Sequence, residues 1–350
     1  MQKTSPNPKP ANRYSPGALG FRMPAEYEEH ERCWMVWPHR EQTYVHDFAQ
    51  AKREFADVAH AIRRFEPVTM IAAPTDMAEA RNMLGSDIEL LELPVNDAWG
   101  RDTGPCFVVN DDGDLAGVDL NHNCWGGNYE PYDADAQLAR RMLRHLSVPH
   151  FSTQLTAEGG GITVDGEGTM ITTESCLLND NRNAGWTKAE VEAEIEHVFG
   201  ITKVIWLPGS EEDTESNGHV DGIAAFVGSG KVLVEYRSDL DMPDATRVNA
   251  NFEALQGQTD AKGRPITTIK IEEASVSGID RNWFCRTYVN SYIANGAVIL
   301  PQYNVPEDGR AREIFRDLFP EREAVFVEIF SISAGSGGIH CITQQQPKPR

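Results

Sequence analysis

"GITVDGEGTMITTESCLLNDNRNAGWTKAEVEAEIEHVFGITKVIWL", residues 161–207, contains one whole structural unit. Two short strand-like runs, 161–164 and 169–173, flank an Asp-Gly-Glu-Gly turn and predict a hairpin. A helix follows over 187–199, opened by Thr187 and Glu190 at capping-box spacing. A third strand at 203–207 completes the unit. The same order recurs on both sides. Strands 105–109 and 115–120 precede a helix at 133–146, and strands 222–227 and 231–236 precede a helix at 244–256 and a strand at 266–271. Strands 288–293 and 297–300 precede a helix at 307–318 and a strand at 324–328. Nearer the start, a strand at 33–37 leads to a helix at 45–65 and strands at 67–72 and 88–93. In that helix Phe48, Ala51, Phe55, Val58, Ala59, Ile62 and Phe65 recur at three- and four-residue steps. The rhythm predicts an α/β chain of repeated small units rather than one long parallel sheet. Sequence identity between the units is absent, and no linker follows residue 20. A single domain over 21–347 is therefore expected, after a Pro-, Asn- and Lys-rich disordered lead-in at 1–20.

Bulk properties narrow the class of function. Among 350 residues, 24% are charged and 40% hydrophobic, an ordinary globular mix. A formal charge of -21 argues against a nucleic-acid partner and suits small cations. No apolar run approaches the roughly 20 residues of a membrane span. The first residues lack a signal-peptide core, so a cytoplasmic chain is expected. Six scattered cysteines without a C-x-x-C pair suggest neither a disulfide framework nor a zinc site.

Four polar clusters interrupt the apolar pattern. The first is "NDAWGRDTGPCFVV" (96–109), where Trp99 and Asp102 precede a Gly-Pro turn. The second begins at Glu158, which leads three glycines into the hairpin quoted above. In the third, "SNGHVDGIAAFV" (216–227), His219 and Asp221 stand two apart at the expected mouth of a strand, sharing a face. The fourth is "SGGIHCITQQQP" (336–347), which brings Cys341 behind small residues and ahead of a polar glutamine run. Each has an ordinary structural explanation: Asp102 pairing with Arg101, Glu158 on the surface, His219 half-buried, Cys341 in a core. Metal binding by His219, His340, Asp102 and Asp221 lacks any known ligand spacing. Together, however, they supply a nucleophile, a general base and three carboxylates, the inventory for nucleophilic catalysis on a cation. A serine-hydrolase elbow and a papain-like local sequence are both missing.

The chain resembles the agmatine deiminase family, within the guanidino-group-modifying enzymes of the five-bladed α/β-propeller (pentein) fold. The motifs that carry the resemblance are "FRMPAEYEEHERCWMVWP" (21–38), "DAWGRDTGP" (97–105), "EGGGITVDGEGT" (158–169), "LLNDNRN" (177–183), "GHVDG" (218–222) and "IHCITQQQP" (339–347). Six motifs in the family's order span essentially the whole chain. The resemblance implies repeated ββαβ units around a central channel, a cofactor-free and metal-free hydrolase, and self-association. It implies Cys341 as nucleophile, His219 as general acid/base, and Asp102 and Asp221 as receptors for the guanidinium. Glu158 would orient the site through His219 or the substrate, with Trp99, Trp125 and Gly338 beside the bound molecule. Trp34 is expected in the core, and Cys33, Cys106, Cys124, Cys176 and Cys285 are expected to be structural. The residue types suit a planar cation rich in N–H donors.

The chain also departs from the family pattern. The loop "NCWGGNYEPYDADAQ" (123–137) is short, Gly222 follows His-Val-Asp, and "SAGSGGIHC" (333–341) lacks a charged or amide residue among its glycines. These are pocket positions, so the substrate tail stays open: agmatine first, then another guanidine, arginine or a 2-substituted imidazole. A substrate carboxylate would need its own receptor, and the sequence assigns no arginine pair to that role, with Arg22, Arg182 and Arg281 left open. A non-catalytic guanidine-binding protein is the third reading, and the complete set of five candidate residues argues against it.

Overall fold

Five small sheets organise the chain in the computed structural model, which describes residues 15–44, 46–276 and 284–349. The unit read first from the sequence is a hairpin, Thr163–Val164 with Thr169–Thr173, then helix Lys188–Phe199, then strand Lys203–Leu207 parallel to the second hairpin strand. Local chemistry fixes each step. Asp165 Oδ1 accepts the N–H groups of Glu167 and Thr169 at 2.8 and 2.9 Å, closing the turn. The Thr187–Glu190 capping box is formed in both directions and starts the helix. Val191, Ile195, Val198 and Phe199 are buried on its sheet-facing side. Gly200, left-handed at φ +66°, ends it.

Three more units repeat this order. Cys106–Val109 and Leu115–Asp119 are followed by helix Leu138–Leu146 and strand His150–Ser152. Ala224–Gly228 and Lys231–Glu235 are followed by helix Ala245–Leu255 and strand Thr267–Ile271. Tyr292–Ala294 and Ala297–Gln302 are followed by helix Glu307–Leu318 and strand Glu323–Glu328.

The remaining unit joins the two ends of the chain. Strand His30–Val36 leads through helix Phe48–Arg63 to the parallel strand Val68–Ala72, and helix Met77–Leu84 then adds Glu89–Glu92. The antiparallel partner of His30–Val36 is Thr343–Pro347. The repeated ββαβ architecture is thus the one expected, and its closing strand is the glutamine run that reads as merely polar. That run is buried: Gln344 Nε2 donates to the Pro105 carbonyl at 2.8 Å, and Gln345 Oε1 accepts from Arg101 Nη1 at 2.7 Å. Gln346 Oε1 accepts the indole N–H of Trp34 at 2.9 Å, which places Trp34 in the core as expected.

Of the lead-in expected at 1–20, residues 1–14 lie outside the described residues. Gly17–Leu19 form a single 3₁₀ turn. No described helix is long and apolar enough to cross a membrane.

Candidate active site

In every unit, the segment just ahead of the first hairpin strand supplies a polar group to one place. Asp102 lies in the short turn Gly100–Thr103 before Cys106, and Glu158 precedes the 3₁₀ turn Gly159–Gly161 before Thr163. His219 and Asp221 belong to the 3₁₀ turn Val220–Gly222 and its N-cap, before the strand that starts at Ala224. Asn290 precedes Tyr292, and Cys341 precedes Thr343. The expected extended pairing of His219 with Asp221 is corrected here: both side chains reach the site from a tight turn, not from a strand.

Gly160 is the common neighbour. A Cβ built on it would sit 2.6 Å from His219 Nδ1 and 2.9 Å from both Asp102 Oδ1 and Asp221 Oδ2. The three side chains therefore ring one backbone position that only glycine leaves open. The Gly160 N–H donates to Asp102 Oδ1 at 2.9 Å, and the indole of Trp125 donates to Asp102 Oδ2 at 2.9 Å. Asp102 does not pair with Arg101, whose guanidinium turns to Gln345 and Glu26.

Behind this ring, His219 Nε2 lies 3.2 Å from Glu158 Oε2, and Nδ1 lies 3.9 Å from Asp102 Oδ2. Glu158 is wholly buried and receives Arg182 Nε at 2.8 Å. It touches His219 and not the cavity, so its reach is to the imidazole alone. Burial raises the Glu158 carboxyl, but the His219 hydrogen bond and the Arg182 charge outweigh this and hold it near 2. Burial likewise opposes charge on His219, yet Asp102, Cys176 and Glu158 together raise its pKa well above the usual value. Two carboxylates thus favour the protonated form of this imidazole.

Cys341 is half-buried, with Sγ 3.7 Å from Asp221 Oδ2 and receiving Asn290 Nδ2 at 3.2 Å. Burial, then the charges of Asp221, Cys285 and Asp102, push its thiol well above the ordinary range. Asp221 accepts the ring N–H of His340 at 2.8 Å. Burial alone would raise Asp221, but that hydrogen bond and the His340 charge bring it below the ordinary carboxylate value.

A cavity of about 480 Å³ opens onto these groups. Trp99 and Trp125 line it, both largely buried. Gly337 lines it too, whereas Gly338 abuts Asn290, so that a side chain there would strike the Asn290 carbonyl oxygen. The carboxylates of Asp97, Glu212, Asp213 and Glu215 also belong to its lining. Arg237, Arg247 and Arg286 line it as well, Arg237 neutralised by Glu235, Asp244 and Glu273 and Arg247 paired with Glu212. Arg22 pairs with Glu28 and Arg182 with Glu158, so neither is free for a substrate carboxylate, and Arg281 lies outside the described residues. Cys33, Cys106, Cys124 and Cys176 are buried, while Cys285 is half-buried and lines the cavity.

Among the described residues, one group has metal-ligand geometry: donor atoms of Glu158, Cys176 and His219 lie within 4.8 Å of one another. Arg182 already occupies that carboxylate.

Asn290 and His340 were not among the residues expected here. Asn290 has no motif around it, but the repeat itself points to it, since it fills in the fifth unit the position the other four units use.

Residues 22–347 match the family model described as Porphyromonas-type peptidyl-arginine deiminase. A protein of Pseudomonas aeruginosa named agmatine deiminase is 42% identical over 360 residues, covering 96% of this chain and 98% of that protein. The solved structure of an Enterococcus faecalis agmatine deiminase superposes with a TM-score of 0.92 at 34% identity, covering 95% of this chain and 98% of the other. A dimethylarginine dimethylaminohydrolase shares the fold at a TM-score of 0.53 and 14% identity.

Proposed function

The chain belongs to the Porphyromonas-type peptidyl-arginine deiminase family, and from that premise we propose that it is an agmatine deiminase, hydrolysing agmatine to N-carbamoylputrescine and ammonia. The observation that carries this reading is the meeting of His219, Asp221 and Asp102 around Gly160, with Cys341 against Asp221, in a cavity lined by acids. Agmatine carries a guanidinium at one end and an ammonium at the other. Carboxylates outnumber cations along the cavity, and Arg237 and Arg247 there are ion-paired, which favours a cationic tail over a carboxylate.

Asp102 and Asp221 receive the guanidinium N–H groups, and Trp99 and Trp125 flank the entering cation. The guanidinium offsets the two carboxylates that hold the Cys341 thiol protonated, so the thiol gives up its proton to solvent. The thiolate bonds to the guanidinium carbon. Orientation of the kind a rigid site gives can be worth roughly 7–11 kcal/mol. His219 donates its proton to the departing nitrogen, ammonia leaves, and an amidino-thioether remains on Cys341. Neutral His219 then takes a proton from water as it attacks that carbon. Collapse breaks the C–S bond and frees the ureido product. Glu158 and Arg182 keep the imidazole ring in place throughout.

The test is an ammonia-release assay with agmatine, arginine, methylguanidine and 2-aminoimidazole. Release from agmatine with the highest kcat/KM is expected; release from another member alone would replace the substrate, and release from none would favour a binding protein. A cytoplasmic, self-associating enzyme without metal or organic cofactor completes the proposal. Light scattering of the purified chain tests its association.

A further inference from the structure

Glu26, from the N-terminal motif at 21–38, has no part in the chemistry above, yet it is linked to Asp221 through His340. His340 Nε2 lies 2.8 Å from Glu26 Oε2, and His340 Nδ1 lies 2.8 Å from Asp221 Oδ2. A neutral imidazole carries one N–H and can satisfy only one of two carboxylates. Two such contacts require either an imidazolium or a protonated acid. The surroundings of Glu26 select the first. Its Oε1 accepts the Ile293 N–H at 2.8 Å, and Arg101 Nη2 lies 3.4 Å from Oε2.

We propose that His340 is the positioning residue for Asp221: a doubly protonated ring, anchored by Glu26, that holds Asp221 ionised and turned toward Cys341, ready for the cation. The inference rests on the deiminase reading for its kinetic consequence, though not for the charge state itself. His340 touches neither the cavity nor the thiol through its ring, so it acts through Asp221.

The other charged groups agree with this assignment. His340 faces Glu26, Asp221 and Arg101; Asp221 also feels His219, Asp102, Cys341 and Cys285; Glu26 is near Arg322 and Tyr292. Burial and Arg101 oppose charge on His340, and the two carboxylates overcome them, raising its pKa. Burial raises Glu26, but His340 and Arg101 hold it near 2.

Two readouts on the full-length chain test the proposal. The first is the ¹⁵N spectrum of the histidine rings, with the His340 signals identified by their loss in His340→Gln. Both His340 nitrogens should be protonated at pH 7, whereas in Glu26→Gln the ring should lose a proton at lower pH than in the parent. A neutral His340 ring at pH 7 in the parent protein would overturn the assignment. The second is kcat/KM against pH for ammonia release from agmatine. His340→Gln should raise KM about tenfold more than it lowers kcat, and should steepen the acid limb by adding Asp221 to Asp102, because Asp221 loses its cation. An unchanged limb and KM would contradict the proposal. If His340→Gln does not fold, as a melting curve would report, Glu26→Gln carries both readouts. A parent chain that releases no ammonia would sink the deiminase reading and leave the spectral test standing.

Discussion

Asp102 and Asp221 carry the same side chain and face the same glycine, yet their surroundings drive their acidities apart. Burial raises Asp102, and the neighbouring charges of Asp221 and Glu158 add to this against the pull of His219. Asp221 has His340 and is held down. If both receive the guanidinium as proposed, both must be ionised, and Asp102 is the one that limits binding as the pH falls. The kcat/KM for agmatine should therefore decline through the raised Asp102 value on the acid side. In Asp102→Asn the remaining activity should be on the order of 10² lower or less, and that acid limb should be gone. A variant that keeps the parental limb would assign it to another group. At this scale the residue types were legible: acids, histidine and thiol suit a cationic substrate whatever the fold. What stayed hidden was the pairing. Nothing near Arg101 in the chain indicates that it serves Glu26 and Gln345, 75 and 244 residues away, rather than Asp102 beside it.

The three glycines after Glu158 form one short turn but face different surroundings. A Cβ on Gly160 meets the polar atoms of His219, Asp102 and Asp221, whereas one on Gly161 meets only Cys176 Sγ at 3.5 Å and His219 Cδ2 at 3.9 Å. Neither glycine has a positive φ, so alanine is tolerated by the backbone at both. Gly160→Ala should lose about 10²-fold or more in kcat/KM with a melting temperature close to that of the parent. Gly161→Ala should stay within about tenfold of the parent. Equal losses at the two positions would show that turn flexibility, not the space inside the ring, is what matters. The helices were readable because their apolar spacing and caps are local. The short strands were less so. His150–Ser152 has only three residues, and Thr343–Pro347 buries glutamines where a sheet interior is expected to show aliphatic residues.

Across the whole molecule, the same strand ties catalysis to stability. Thr343–Pro347 begins two residues after Cys341 and closes the sheet begun by His30–Val36, so the thiol is placed by a contact between the two ends of the chain. Replacing Gln345 by Ala removes the acceptor for Arg101 Nη1, a buried cation. A loss of about 1–3 kcal/mol in unfolding free energy is expected, read from denaturant curves with an unchanged m-value. A change under about 0.5 kcal/mol would mean that Arg101 is satisfied by Glu26 alone. The family resemblance set the number of small units at five, and their repeat was legible from alternating hairpins and helices. Its closure was not, because a strand contributed from the far end of a chain leaves no local signal.

The central claim is that Cys341 forms a covalent bond to the substrate carbon while His219 manages the proton. Acid-quenching the protein during turnover of agmatine, then weighing the peptide that contains Cys341, tests this most directly. The account predicts a mass increase equal to agmatine less ammonia on Cys341, longer-lived in His219→Ala treated with an activated guanidine and absent in Cys341→Ser. An unmodified peptide throughout turnover, together with full activity in Cys341→Ser, would contradict it.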